Sequence, residues 1–118
     1  MNDNITKGKI GESIAKRYLI NKGYKILETN YKNRIGEIDI IATYSECLIF
    51  VEVKTRTSTS YGYAFEAVSY HKQKKIINVS MAYVKYKGLL NKQLRYDIIE
   101  VYFTNNMIIN HMEDAFCL

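Results

Sequence analysis

The sequence predicts an α/β domain in which a mixed sheet is flanked by helices. Two segments carry apolar residues at helical spacing, and short segments rich in Ile, Val and Phe lie between and after them, as strands do. With 118 residues, 47% of them hydrophobic and 25% charged, the chain can bury one core. We therefore expect a single domain over residues 1–118, with its core at about 6–103 and a short C-terminal tail.

Residues 6–22 are predicted to form the first helix. This helix has one face that packs inward, because apolar residues recur at helical spacing at Ile10, Ile14, Tyr18 and Leu19. Gly23 stands where glycine commonly ends a helix.

Residues 24–31 are predicted to form a strand that leads into a basic loop ending at Gly36. The next segment, 36–54, predicts a β-hairpin, because two arms rich in Ile, Val and Phe are separated by the polar pair Ser45-Glu46. With the turn centred on that pair, the numbers of opposed residues sum to 91.

This register brings four charged side chains together at one end of one face of the hairpin. Because side chains alternate between faces along a strand, Asp39 is expected opposite Glu52, and Glu37 opposite Lys54. The other face is expected to carry Ile38, Ile40, Val51 and Val53.

Two opposed carboxylates repel each other unless a cation or a shared proton lies between them. Magnesium is typically held by one or two protein carboxylates together with water and substrate phosphate, so Asp39 and Glu52 fit a metal site. The alternative is a solvated ladder of salt bridges on an open sheet. Ile41, Leu48 and Phe50 share the charged face and need cover, which favours a metal site at the mouth of a core.

Residues 69–86 are predicted to form a second helix that ends at Gly88. Lys72, Lys74 and Lys75 lie in its first turns, where the helix dipole also favours anions, so this end is a candidate for binding a nucleic-acid backbone. A solvated face of lysines is the alternative. The expected inward residues are Ile76, Ile77, Ser80, Tyr83 and Val84.

Residues 95–103 are predicted to form a strand, and 107–110 a last short one. Arg95 and Asp97 are interpreted as a structural ion pair or as residues with a role in a turn, and residues 111–118 as a tail without chemistry.

The net charge of +5 favours a polyanionic partner, with nucleic acid ahead of a membrane surface. No apolar run approaches the roughly 18 residues that a membrane span needs, and the N-terminus lacks the apolar stretch of a signal peptide. We therefore expect a cytoplasmic protein. Cys47 and Cys117 have no metal-ligand spacing and are expected to stay reduced.

The charged residues of the hairpin also resemble a known motif. An acidic residue on one strand followed by Glu-x-Lys on the next, here Asp39 and Glu52-Val53-Lys54, is the signature of the PD-(D/E)XK, or restriction-endonuclease-like, nucleases. The segments around it are GKIGESIAKRYLINKGYKIL, NYKNRIGEIDIIA, IFVEVKTRT, YGYAFEAVSYHKQKKI and RYDIIEV. Together they resemble the small bacterial YraN-like family of that superfamily over about residues 8–103.

This resemblance implies an αβββαβ core and the hydrolysis of phosphodiester bonds. Asp39 and Glu52, with the Val53 carbonyl, would hold Mg²⁺ or Mn²⁺ against the scissile phosphate. Lys54 would position the attacking water or help to deprotonate it. Glu37 departs from the minimal motif and would hold Lys54 in place or support the metal ligands.

Glu12 is a further ligand, or a group that positions water, that the resemblance implies. The GxxGE stretch from Gly8 to Glu12 matches the family, and nucleases of this class commonly place a helix glutamate near the metal. From helical position alone, a solvent-facing glutamate is the alternative. Gly8 and Gly11 are costly inside a helix, so they indicate either a close approach or a frayed helix start.

Nucleic-acid contacts are expected from the second helix and from two loops. Lys72 and Gln73 match a family feature near the site. Tyr61 and Tyr63, in the loop after the hairpin, are candidates for stacking on unpaired bases, with ordinary packing as the alternative. Further candidates for phosphate contacts are Arg34, Arg56, Lys74 and Lys75.

Two functions from different classes follow. One is a metal-dependent endonuclease that acts on DNA or RNA, with DNA favoured over RNA and branched or damaged DNA as a candidate substrate, as in the Holliday-junction resolvases of this class. The other is a nucleic-acid-binding accessory protein that keeps the fold and does not cut; a plain interaction module is a weaker third. Retention of Asp39, Glu52 and Lys54 together favours the nuclease, and a homodimer is left open.

Overall fold

The computed structural model describes residues 3–57, 68–103 and 106–117, with side chains from residue 7 onward. These residues form the α/β class that the sequence predicts, and the elements follow the order αβββαβ with one more strand. The elements are α1 Asp3–Asn21, β1 Lys25–Lys32, β2 Glu37–Tyr44, β3 Cys47–Arg56, α2 Tyr70–Lys87, β4 Gln93–Tyr102 and β5 Ile108–Phe116.

The five strands form one mixed sheet in the order β1-β2-β3-β4-β5. The β3–β4 pair is parallel and the other three pairs are antiparallel. A parallel pair needs a long crossover connection, and α2 supplies it. One face of the sheet packs in a cluster with Ala15 and Leu19 of α1, and the other in a cluster with Val79 and Tyr83 of α2. No helix in the described part of the chain is both long and apolar enough to span a membrane.

The predicted hairpin register is confirmed, because Ile41 pairs with Phe50 and Thr43 with Leu48. The turn lies at Ser45-Glu46, as predicted, and both residues have positive φ, 50° and 67°. A two-residue turn of this kind matches the twist of the strands that it joins.

The predicted pairing is wrong beyond Ile40, which is the last β2 residue paired with β3. Ile38 packs in the α2-side cluster with Ile41 and not, as expected, with Ile40 on the other face. Strict alternation therefore breaks around Asp39. Glu37 pairs with Lys32 of β1 and not with Lys54 of β3.

The first helix packs as predicted through Leu19, but Ile10 is 45% exposed and does not join the core. Gly11 is a close approach: a Cβ there would lie 2.5 Å from Thr55 Oγ1. Nothing lies within 4 Å of a Cβ built on Gly8, so Gly8 is not at a close approach of this kind. The predicted C-cap is present at Gly23, which has φ 96°.

The second helix begins and ends close to the predicted positions. Ser69, where the helix was predicted to start, is its N-cap, and Gly88 is its left-handed C-cap, as predicted. Val79 is fully buried although the sequence argument did not place it in the core, and Ile77 is only partly buried.

The prediction of a tail after residue 110 is wrong. Strand β5 continues to Phe116, whose side chain lies in the α2-side core cluster. His111 Nε2 is 2.7 Å from Asp97 Oδ2, and the Asp114 backbone N–H donates to Asp97 Oδ1 at 3.0 Å. These long-range contacts hold the segment against β4.

Candidate functional site

Asp39 and Glu52 lie where β2 separates from β3. The carboxylate Oδ2 of Asp39 accepts a hydrogen bond from the Val53 backbone N–H at 2.8 Å, so a side chain continues the ladder after backbone pairing ends. The two carboxyl groups are close enough to share a hydrogen bond. Burial, together with the charge of Glu52, raises the pKa of Asp39 to about 8.

Two lysines neutralise Glu52, whose residue is only 5% exposed. The Nζ atom of Lys72, from the first turn of α2, lies 2.6 Å from Glu52 Oε2. The Nζ atom of Lys54, two residues further along β3, lies 3.4 Å from the same oxygen. Although burial lowers it, the pKa of Lys72 is raised above its usual value by the bond to Glu52.

Glu12 of α1 lies on the same side of the sheet end. Burial raises its pKa, a hydrogen bond with Asn30 opposes this, and the charges of Glu37 and Glu52 add to it. Asn30 has φ 52°, a left-handed conformation that Asn tolerates better than most residues. No role was predicted for Asn30 from the sequence, because an asparagine within a predicted strand gives no sign that it will contact a residue of α1.

Asp39 and Glu52, which we call the acid pair, lie at the junction of two grooves that share Glu37 and Asp39. We call the groove between α1 and β1 the α1 groove; its volume is about 770 Å³. The other, of about 400 Å³, lies beside the start of α2 and is called the α2 groove. The basic residues of the α1 groove are Lys9, Lys16 and Lys32. Those of the α2 groove are Lys72 and Lys75, with His71 beside them.

The donor set fits a hard divalent cation that takes two protein carboxylates. Asp39 and Glu52 supply them side by side, which is the number that magnesium commonly takes from a protein. Among the described residues, no group of three or more Asp, Glu, His or Cys side chains is arranged to hold a metal ion. Glu12 therefore does not complete a three-carboxylate site with this pair in the present geometry.

The predicted phosphate contacts divide into two groups. Lys72 and Lys75 line the α2 groove, and Arg34 is exposed in the loop before β2. Lys72 also contacts Glu52, and the other three candidates have partners elsewhere in the chain. Arg56 Nε donates to buried Glu100 at 3.2 Å, Gln73 Nε2 donates to the Val68 carbonyl, and Lys74 lies over the Tyr70 ring. Tyr61 and Tyr63 lie outside the described residues.

Glu37 has a different partner from the one expected. Its Oε2 lies 3.6 Å from Lys32 Nζ, in an exposed pair on the wall of the α1 groove. Sequence reasoning also missed Lys9 and Lys16 as groove residues; their spacing from Glu12 on a helix was the available signal.

The Arg95–Asp97 ion pair predicted from the sequence is present, with Arg95 Nη2 2.8 Å from Asp97 Oδ2. Although burial raises it, hydrogen bonds from His111 and Arg95 hold the pKa of Asp97 below its usual value. Asp97 pairs with Val51 of β3, whose side chain lies in the core cluster on the α1 side of the sheet, and the contacts of Asp97 given above do not involve Asp39 or Glu52.

Comparisons with known proteins identify the relatives of the chain. The model of the uncharacterised protein family UPF0102 matches residues 11–101. A UPF0102 protein of Caldanaerobacter subterraneus is 49% identical over 94% of this chain and 94% of its own length. A UPF0102 protein of Clostridioides difficile is 49% identical over 97% of this chain and 99% of its own length. A UPF0102 protein of Persephonella marina is 45% identical over 95% of this chain and 94% of its own length.

Among solved structures, Pyrococcus furiosus SfsA in complex with Ca²⁺ is similar at a TM-score of 0.42 and 15% identity, over 93% of this chain and 63% of SfsA. That likeness is too distant to support an argument about the site. The family model covers most of the chain and the relatives match along nearly their whole length, so this protein is a member of the uncharacterised family UPF0102.

Proposed function

We propose that this protein is a metal-dependent nuclease that hydrolyses phosphodiester bonds within nucleic-acid strands. The observation that carries the proposal is the pair of adjoining carboxyl groups, Asp39 and Glu52, at the junction of two lysine-lined grooves. The motif Asp39, Glu52-Val53-Lys54 and its resemblance to PD-(D/E)XK nucleases agree with it.

Asp39, Glu52 and the Val53 carbonyl would hold Mg²⁺ or Mn²⁺. The ion supplies Lewis-acid activation of the phosphate and lowers the pKa of bound water. The chain holds the Asp39 carboxylate in a fixed direction through the Val53 N–H, and therefore sets where the ligand oxygens point. Fixed ligand directions are what a preorganised site requires.

Lys54 is proposed to act on the attacking water and on the charge that develops at the phosphate. Its ammonium group lies 3.4 Å from Glu52 Oε2, so it is held beside the carboxylates without being a metal ligand. A cation in this position stabilises negative charge that grows in the transition state. Glu12 would orient a water molecule from the α1 side. Its hydrogen bond with Asn30 would hold the carboxyl group in position for this role.

The two grooves support a cut within a strand and not at its end. They open on either side of the acid pair, and both carry lysines that can neutralise phosphates. A strand that crosses the acid pair therefore has a basic surface before and after the scissile bond. DNA, including branched or damaged DNA, is the proposed substrate.

A non-cleaving nucleic-acid-binding protein is the second candidate, and one observation favours it. The 2.6 Å contact from Lys72 to Glu52 gives the acid pair a cation from the chain itself, which an ordinary salt-bridge cluster would also do.

The test is incubation of the purified protein with linear, single-stranded, branched and flapped nucleic acids in Mg²⁺ or Mn²⁺ and in EDTA. Cleavage that needs metal and is lost in Lys54→Ala, but not in a control Lys92→Ala, supports the nuclease. Lys54→Ala should keep nearly the full Mn²⁺ affinity in calorimetric titration, because Lys54 is not a ligand. Binding without cleavage of any member of the panel favours the accessory protein, and full activity of Lys54→Ala contradicts the proposed mechanism.

A further inference from the structure

Lys72 occupies an unusual place among the lysines of the grooves. Its Nζ atom contacts Glu52 Oε2 at 2.6 Å, whereas Lys75 lines the same groove as an exposed residue of α2. The backbone of Lys72 is fixed at the start of the helix, because its N–H donates to the Ser69 N-cap oxygen. The ammonium group is therefore placed on the carboxylate by the position of α2.

The carboxylate that Lys72 contacts is the one that the proposed function assigns to a metal ion. Glu52 is buried and stands beside Asp39, so a positive charge at its oxygens offsets both the burial and the repulsion. A divalent cation at the same carboxylate would meet the Lys72 ammonium at short range, and two like charges there repel.

We propose that Lys72 is an internal counter-ion of Glu52 that a divalent cation must displace. The inference rests on the proposed function for the identity of the competing ion. Metal binding to the acid pair is then weaker than the two carboxylates alone would give.

Lys72 suits this role better than Lys54. The Lys54 side chain is 26% exposed and extends from β3 itself, whereas that of Lys72 is 44% exposed and borders the α2 groove of about 400 Å³. A lysine has a long flexible stem, so the ammonium group can leave Glu52 and enter the groove without movement of the helix.

The first measurement is calorimetric titration of Mn²⁺ into the wild type, Lys72→Met and Lys75→Met. Methionine keeps an unbranched apolar stem and removes the charge, and Lys75→Met removes a charge from the same groove without touching Glu52. We expect Lys72→Met to bind Mn²⁺ about 5-fold more tightly or better, the lower end of ordinary coupling between sites, and Lys75→Met to stay near the wild type. Equal affinities in the two variants, or weaker binding by Lys72→Met, overturn the proposal.

The second measurement is thermal melting in EDTA, which needs neither metal nor substrate. Lys72→Met should melt at a lower temperature than Lys75→Met, because it leaves two adjacent carboxyl groups with one cation fewer. Lys72→Arg, which keeps the charge, should melt close to the wild type. If Lys72→Met and Lys75→Met melt at the same temperature, Lys72 is not the counter-ion.

The outcomes separate this inference from the nuclease proposal. If no nucleic acid is cleaved but Lys72→Met still binds Mn²⁺ more tightly than Lys75→Met, the nuclease proposal fails and the counter-ion stands. If cleavage occurs and the two Mn²⁺ affinities are equal, the counter-ion fails and the nuclease stands.

Discussion

At the scale of single residues, the Asp39 carboxyl group has two functions. One oxygen accepts the Val53 N–H and so replaces a backbone hydrogen bond of the sheet. The group also faces Glu52, and the price of that contact is a raised pKa, caused by burial and by the neighbouring charge. The same side chain thus opens the two strands and forms half of the acid pair.

We expect Asp39→Asn to raise the melting temperature in EDTA by a few degrees, the scale of about 1 kcal/mol for a domain of this size. An asparagine can accept the Val53 N–H through its oxygen and donate to Glu52 through its amide, so the geometry is kept. The pKa of Asp39 is raised to about 8 in the folded protein, so at pH 7 this carboxyl group must take up a proton when the chain folds, and the variant removes that cost. Added Mn²⁺ should raise the melting temperature of the wild type and do much less for the variant, because a ligand that binds the folded state stabilises it.

Glu46→Gln is the matched control for that experiment, because Glu46 is an exposed carboxylate in the hairpin turn, far from the acid pair. It should change neither the melting temperature in EDTA nor the response to Mn²⁺. A fall in the melting temperature of Asp39→Asn, with no effect of Mn²⁺ on either protein, would mean that Asp39 is a partner in an ordinary salt-bridge ladder.

At the scale of elements, β5 is held to β4 by a buried charge. Asp97 is fully buried and bonds with Arg95, with His111 and with the Asp114 backbone N–H. The His111 ring also bonds with Tyr18 of α1, so the network joins three elements. A buried ion pair is costly to break by removal of one partner, because the other charge is left without compensation.

Asp97→Asn should lower the free energy of unfolding at pH 7 by about 3 kcal/mol, since it removes the buried carboxylate that pairs with Arg95 and leaves Arg95 with the more exposed Glu113. The pKa of Asp97 is held below 3.8, so its stabilising contribution is present above that value and is lost as the pH falls through the folded-state pKa. The difference between wild type and variant should therefore shrink below about pH 4. Denaturant unfolding at several pH values between 3 and 7 measures it. A difference that does not change with pH would show that Asp97 acts by packing alone.

The elements also show which parts of this fold can be predicted from sequence. The hairpin register between Ile40 and the turn and the C-cap at Gly88 depend on neighbouring residues, and both were predicted with their positions. The length of β5 depends on partners that are distant in sequence, such as Asp97, which lies 14 residues before His111. No local sequence pattern predicts these contacts.

The candidate site divides in the same way. The spacing of Asp39, Glu52 and Lys54 predicts that they meet, because pairing across a tight turn is regular. The departure of Ile38 from its expected face follows from the side-chain bond of Asp39 to Val53, which periodicity cannot reveal. The contact of Lys72 with Glu52 depends on where α2 packs against the sheet, so it could not be predicted from the sequence.

At the scale of the whole molecule, the net charge is +5, and lysines lie at both ends of the sheet. The end with the acid pair carries the groove lysines. Lys25, which pairs with Thr43, Lys92, which precedes β4, and Lys85, in the last turn of α2, lie towards the other end and are called the far-end lysines. The two sets allow a comparison in which the net charge is changed equally.

Nucleic-acid binding should be strongly dependent on salt and carried by the groove lysines. Neutralising phosphates releases counterions, so each lost contact with duplex DNA should reduce the slope of log affinity against log salt by about 0.9. Changing Lys9, Lys16 and Lys75 together to Gln should therefore weaken binding to all sequences alike and flatten the slope by up to about 2.7 if each lysine contacts one phosphate. Titration of a short fluorescent DNA duplex in EDTA measures binding without cleavage. The same change at the far-end lysines should leave the slope nearly unaltered, because those residues lie away from both grooves. If the two triple variants flatten the slope equally, the polyanion is bound by net charge and not by the grooves that meet at Asp39.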